Sequence, residues 1–146
     1  MAQNFTRYIG YDNADVFRNM LIGSFAAAKK SGLFFEGKIP MASTTEITAA
    51  ADYAAADLAD AQSVGAGLKS WISSQRLPYS AEALTPALME AVSLCGANGR
   101  NTYYVILCWL IKYLSIRPES LVYIGAGTLR ERFFLYMMSL AGVKII

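Results

Sequence analysis

The segment TYYVILCWLIKYLSI, residues 102–116, leaves this chain few ways to fold. Wound as a helix it is apolar on nearly every side, so other elements must surround it. Its greasy stretch, interrupted only by Lys112, is about 14 residues long, short of the roughly 20 that cross a bilayer. The segment therefore reads as the central helix of a helical domain, with no transmembrane span. Asn101 or Thr102 starts it, and Arg117-Pro118 stops it, because a residue before proline is pushed out of the helical region.

The remaining patterns supply the packing partners. Residues 12–31 read as a helix: Asp12 caps it, Phe17, Leu21, Phe25 and Ala28 recur at helical spacing, Lys29 and Lys30 sit in the last turn, and Gly32 closes it. Ser43 and Glu46 form a capping box that opens an alanine-rich helix over 44–62. The SVGAG stretch that follows reads as flexible or kinked, and 68–74 as a short helix with Leu68, Trp71 and Ile72 inward. Thr85 and Pro86 read as the N-cap and first residue of the next helix, which carries Leu88, Met89, Val92 and Cys95 inward and ends at Gly96. A last helix is expected from Thr128 to Leu140, with Gly142 as its cap. LFFEGKI, residues 33–39, reads as a very small hairpin around Glu36-Gly37-Lys38 or as a loop over the core.

The expected architecture is all-α. Five or six helices enclose a buried central helix near 102–116, with at most a minor β-hairpin and extended termini. Residues 1–11 form an N-terminal arm, 12–142 one helical domain and 143–146 an apolar C-terminal tail.

Composition bears on what such a domain does. Hydrophobic residues make up 55% and charged residues 16% of the chain, against about 25% charge in a typical soluble domain. So few charges cover a small monomer poorly, and association between copies relieves the problem. The alternative is a monomer coated with Ser, Thr, Ala, Asn and Tyr. The charges are also uneven. Acidic Asp52, Asp57 and Asp60 stand in the alanine-rich segment, while Lys112, Arg117, Arg130 and Arg132 lie late in the chain. Opposed faces of that kind suit head-to-tail packing of copies. Candidate subunit contacts are Phe5, Tyr8, Ile9 and Tyr11 in the arm, Asp52, Asp57 and Asp60, and Ile145 and Ile146 in the tail.

Catalytic chemistry is weakly represented. The chain has no histidine, which removes the usual general base near neutral pH and the commonest zinc ligand. Cys95 and Cys108 read as buried thiols or one disulfide. Ser70, Ser73, Ser74 and Ser93 lack a base, and Glu82 and Glu90 are separated by Pro86. No enzyme, cofactor or metal is expected.

The stretch LVYIGAGTLRERFFLYM, residues 121–137, admits two readings. An apolar run, a Gly-Ala-Gly turn and a helix start resemble a dinucleotide fingerprint, which needs G-x-G-x-x-G within a strand, turn and helix unit. Here Arg130 stands where the third glycine belongs, and no second strand with an acid about 20 residues on is available. No Lys-Ser or Lys-Thr completes a P-loop. A tight structural bend capped by Thr128 is the expectation.

Arg130 and Arg132 then fall in the first turns of a helix, the wrong end for cations in isolation, which suggests an anionic neighbour. With Arg100, Arg117 and Lys112 they are the candidate phosphate contacts, and Tyr103, Tyr104 and Tyr123 the candidate stacking residues. The expected function is a self-assembling structural protein, a virion coat, capsid or nucleocapsid subunit whose partners are copies of itself and a nucleic-acid backbone. The alternatives are a small helical RNA-binding subunit of a ribonucleoprotein and a monomeric adaptor or inhibitor. The opening MAQNFTRYIG has no signal-peptide core, so an intracellular or virion location is expected.

Overall fold

The computed structural model describes residues 32–145. In chain order these form β1 (Gly32–Glu36), α1 (Thr44–Ala51), α2 (Ala61–Ser74), α3 (Ala81–Leu94), a single 3-10 turn (Gly96–Asn98), α4 (Gly99–Leu114), β2 (Ser120–Ile124), α5 (Leu129–Leu140) and β3 (Lys144–Ile145). The arm at 1–11, the helix expected over 12–31, and with them Phe5, Tyr8, Ile9 and Tyr11, lie outside the described residues, as does Ile146.

The domain is largely helical and α4 is the buried helix at its centre. Tyr103, Ile106, Leu107, Trp109, Leu110 and Leu114 are all buried along it, and it packs on α1, α3 and α5. It runs from Gly99 to Leu114 rather than over 102–116, so Ile116 lies beyond its end and is 54% exposed. Polar edges of its aromatic residues are tied to loops. Trp109 Nε1 donates to the Pro40 carbonyl at 2.9 Å, and the Tyr103 hydroxyl accepts from the Ala55 N–H at 2.7 Å. Phe35 meets Tyr113 edge-on, with ring centroids 5.1 Å apart, a favoured aromatic geometry.

Three further helix boundaries differ from expectation. The alanine-rich segment is helical only to Ala51 and turns from there to Asp60. Aspartate side chains compete for the backbone here: Asp57 Oδ1 accepts from Ala59 N, and Asp60 Oδ1 accepts from Gln62 N to cap α2. The SVGAG stretch, in turn, is regular helix inside α2. Glycine at 67 serves close approach there, since a Cβ would overlap the Tyr53 carbonyl oxygen. The third helix is capped by Ser80, not Thr85. Thr85 and Pro86 lie inside α3, where the Thr85 hydroxyl donates to the Ala81 carbonyl at 2.6 Å, and proline deprives the Glu82 carbonyl of its helical partner.

The β-structure is a three-stranded parallel sheet in the order β1-β2-β3 rather than a local hairpin. Gly32 pairs with Ser120 and Glu36 with Ile124; Ser120 pairs with Lys144 and Leu121 with Ile145. Of the expected hairpin there is only an isolated antiparallel bridge between Glu36 and Lys38. Leu33, Phe35 and Leu121 join the main core. Phe34 and Val122 alternate with them onto the opposite face and are buried too, so the strands lack the polar/apolar alternation that marks a half-exposed sheet. The apolar tail is part of this sheet: Val143 is buried, and Lys144 N donates to the Glu119 carbonyl at 3.0 Å.

Candidate functional site

The stretch from β2 through the Gly-Ala-Gly turn into α5 is a strand, turn and helix unit, and α5 returns the chain to β3, parallel to β2. A parallel strand does therefore precede the turn. Its carboxyl end and the N-terminus of α5 form the kind of crevice where α/β proteins hold phosphates.

Part of that crevice is taken up by the chain itself. Thr128 caps α5 by accepting from Glu131 N at 3.2 Å, and Glu131 completes the capping box by accepting from Thr128 N at 2.8 Å. The other Glu131 oxygen accepts from Ile39 N at 2.6 Å. Gly125 and Gly127 both hold positive φ, conformations open to glycine and costly to most residues. Arg132 folds back and donates through Nε to the Ala126 carbonyl at 3.0 Å. Glu131 thus holds the Thr128 and Ile39 amides from within the chain, and the turn serves as a tight bend.

The candidate cations separate into two groups. Arg100 lies in the first turn of α4, and Arg130 and Arg132 in the first turns of α5. Lys112 lies toward the other end of α4, about 18 Å from Arg100 along the axis at 1.5 Å per residue, and Arg117 lies just beyond that end. Lys112 pairs with Glu46 at 3.3 Å, and Arg117 Nη2 donates to the Arg76 carbonyl at 2.9 Å. The five residues do not make one continuous patch. Of the candidate stacking residues, Tyr103 is buried, while Tyr104 and Tyr123 are half-buried.

At the first end lies a polar cleft of about 350 Å³, lined by Cys95, Asn98, Asn101, Thr102, Thr128, Leu129 and Arg130. The beginnings of α4 and α5 meet here. Asn98 precedes α4 without making a capping bond. Arg130 Nη1 is buried with no hydrogen-bond partner. Cys95 and Cys108 are both free thiols, and burial pushes the Cys108 thiol up, helped by the Glu46 carboxylate. The larger concavity, about 820 Å³, lies between α2 and α3. Gly65, Ala66, Ala81 and Pro86 shape it, and Lys69 and Glu82 also line it, so it offers more shape than converging chemistry.

The candidate subunit contacts that are described lie at the surface. Asp52, Asp57 and Asp60 are exposed on the loop between α1 and α2. Ile145 is 38% exposed while its backbone pairs in the sheet. The outer side of α5 adds residues that were not among those candidates. Leu129, Tyr136 and Leu140 are 45%, 53% and 38% exposed, with Phe133 half-buried between them. Their spacing of four, three and four is legible as a helical stripe, but the same helix carries a second stripe, Phe134, Met137 and Met138, that faces the core.

Among the described residues no group of three potential metal ligands occurs, and no helix is long and apolar enough to cross a membrane. No family model, curated protein or solved structure matches this chain.

Proposed function

We propose that the protein is a self-assembling structural subunit, of the coat or nucleocapsid kind, in which the outer side of α5 on one copy docks on the acidic α1–α2 loop of the next. The observation that carries this reading is the exposed apolar stripe of Leu129, Phe133, Tyr136 and Leu140. With Arg132 the first three line a shallow apolar depression of about 150 Å³. The loop offers the complement: exposed Asp52, Asp57 and Asp60 among the small side chains Ala56 and Ala59. Alanine permits close approach, and the opposed charges favour a head-to-tail contact, which closes into rings or extends into filaments.

The test is light scattering across a concentration series with absorbance read at 260 and 280 nm. Species well above the 15.9 kDa chain mass are expected, and Tyr136→Glu with Leu140→Glu should return them to monomer with unchanged helicity. A wild-type chain that stays monomeric at about millimolar concentration, where a contact worth only about 4 kcal/mol would register, overturns the reading in favour of an adaptor. Nucleic acid is a second component of the proposal, favoured by Arg100, Arg130 and Arg132 sharing one end of the molecule. Excess 260 nm absorbance, lost in Arg130→Glu with Arg132→Glu, is its expected signature. Deleting residues 1–9 is expected to reduce assembly while preserving helicity.

A further inference from the structure

The polar cleft between the starts of α4 and α5 has features that a contact between copies does not use. It shares only Leu129 with the outer stripe of α5. We propose that this cleft is a discrete binding site for a single phosphate group, either inorganic phosphate or the terminal group of a small phosphate monoester.

Three observations support it. The first is the convergence of two helix beginnings. The first amides of any helix lack intrahelical partners and carry partial positive charge. In α5 the Thr128 and Glu131 amides are satisfied within the capping box, which leaves those of Leu129 and Arg130 at the cleft. In α4 the residue before the helix, Asn98, makes no side-chain cap, so its amide group remains available to a ligand.

The second is Arg130. Its Nη1 is buried and has no hydrogen-bond partner. A buried donor without an acceptor costs on the order of 1–3 kcal/mol, more when charged, and an oxyanion in the adjoining cleft offers an acceptor to this guanidinium. Its neighbour Glu131 turns its carboxylate to Ile39 and Thr128 and does not line the cleft, so no acid opposes an anion from the cleft wall.

The third is Thr102. It is 1% exposed, lines the cleft, and its hydroxyl is engaged by no described residue. Thr102, Asn98, Asn101 and the two amides of α5 supply neutral donors around the one guanidinium, the mixture that recognises a tetrahedral oxyanion through directed bonds as well as charge. The volume of about 350 Å³ accommodates a phosphate with a small substituent.

The experiment is an amide NMR titration of the full chain with inorganic phosphate, sulfate and ribose 5-phosphate at constant ionic strength. Saturable shifts confined to Asn98, Asn101, Leu129 and Arg130 are expected, with half-saturation at about millimolar phosphate. Tighter binding of ribose 5-phosphate identifies a monoester as the ligand; equal or weaker binding identifies the free anion. Arg130→Gln should weaken binding at least tenfold, while Arg132→Gln, whose side chain lies on the turn outside the cleft, should leave it within twofold. Should Arg130→Gln fail to fold, Asn98→Asp places a carboxylate at the cleft on an exposed position and should abolish binding. Linear, unsaturable shifts in the wild type, or equal losses in the Arg130 and Arg132 variants, overturn the proposal. Assembly is read separately by light scattering, so failure of either proposal leaves the other standing.

Discussion

The Glu131 carboxylate accepts the Ile39 backbone N–H at 2.6 Å across 92 positions of sequence. Glu131 is 3% exposed, and its other oxygen holds Thr128 N. One side chain therefore caps α5 and fixes the segment leaving β1 to it. Glu131→Gln keeps the shape but removes the charge and one of two accepting oxygens. It should destabilise the fold by about 2–3 kcal/mol, read by urea unfolding. A loss below about 0.5 kcal/mol, the level of an ordinary surface change, would mean that the bridge contributes nothing.

Gly67→Ala should reverse the usual sign. In an ordinary helix interior the change to alanine stabilises by about 1 kcal/mol. Here the new methyl meets the Tyr53 carbonyl, and displacing that loop should cost about 1–3 kcal/mol. A higher melting temperature in the variant would show that the loop is not held against α2.

Arg76 follows α2 with φ of 52°, a left-handed conformation that closes the helix, with Leu77 N donating to the Ile72 carbonyl at 3.0 Å. Glycine takes that conformation without the side-chain penalty. Arg76→Gly is expected to stabilise by about 0.5–1 kcal/mol. Arg117 has φ of 50° but also donates to the Arg76 carbonyl, so Arg117→Gly should gain less. A larger gain at 117 in thermal unfolding would contradict this ranking.

Burial pushes the Tyr113 phenol up to about 12, with the Glu46 carboxylate acting in the same direction. Burial also raises Tyr79 and Tyr103. The folded state thus keeps these protons longer than the unfolded chain, whose tyrosines titrate near 10. Their stabilising contribution is complete below about pH 10 and is lost as pH rises through the folded values. Chemical denaturation midpoints should be insensitive to these groups up to about pH 10 and fall between about pH 10 and 12. Tyr113→Phe should make that fall shallower, and an unchanged slope would assign it to other groups.

Several elements were legible in the residues themselves. The burial of α4 followed from an apolar surface all round it. The extent of α5 followed from Thr128 at one end and Gly142, with φ of 95°, at the other. Ser43 marked the start of α1: its Oγ accepts from Glu46 N, although the Glu46 side chain goes to Lys112 and leaves the capping box half formed. Each of these signals is complete within a turn or two of one helix, so no knowledge of the rest of the fold is needed to read it.

Tertiary structure decided what depended on distant partners. LFFE, SLVYI and the terminal residues are each short apolar runs, indistinguishable in isolation from loop or buried helix. They become a parallel sheet only because Gly32 meets Ser120 and Ser120 meets Lys144. The alanine-rich helix ends early because Tyr53 to Ala55 lies against Gly67 and Tyr103. The polar cleft exists only because the starts of α4 and α5 are brought side by side. Sequence by itself determined where helices are possible and which one must be buried, through local hydrogen bonding and hydrophobic periodicity. Strand pairing, helix ends under close approach and the convergence of donors were left to the packed chain, because their energies reside in contacts between residues far apart in sequence.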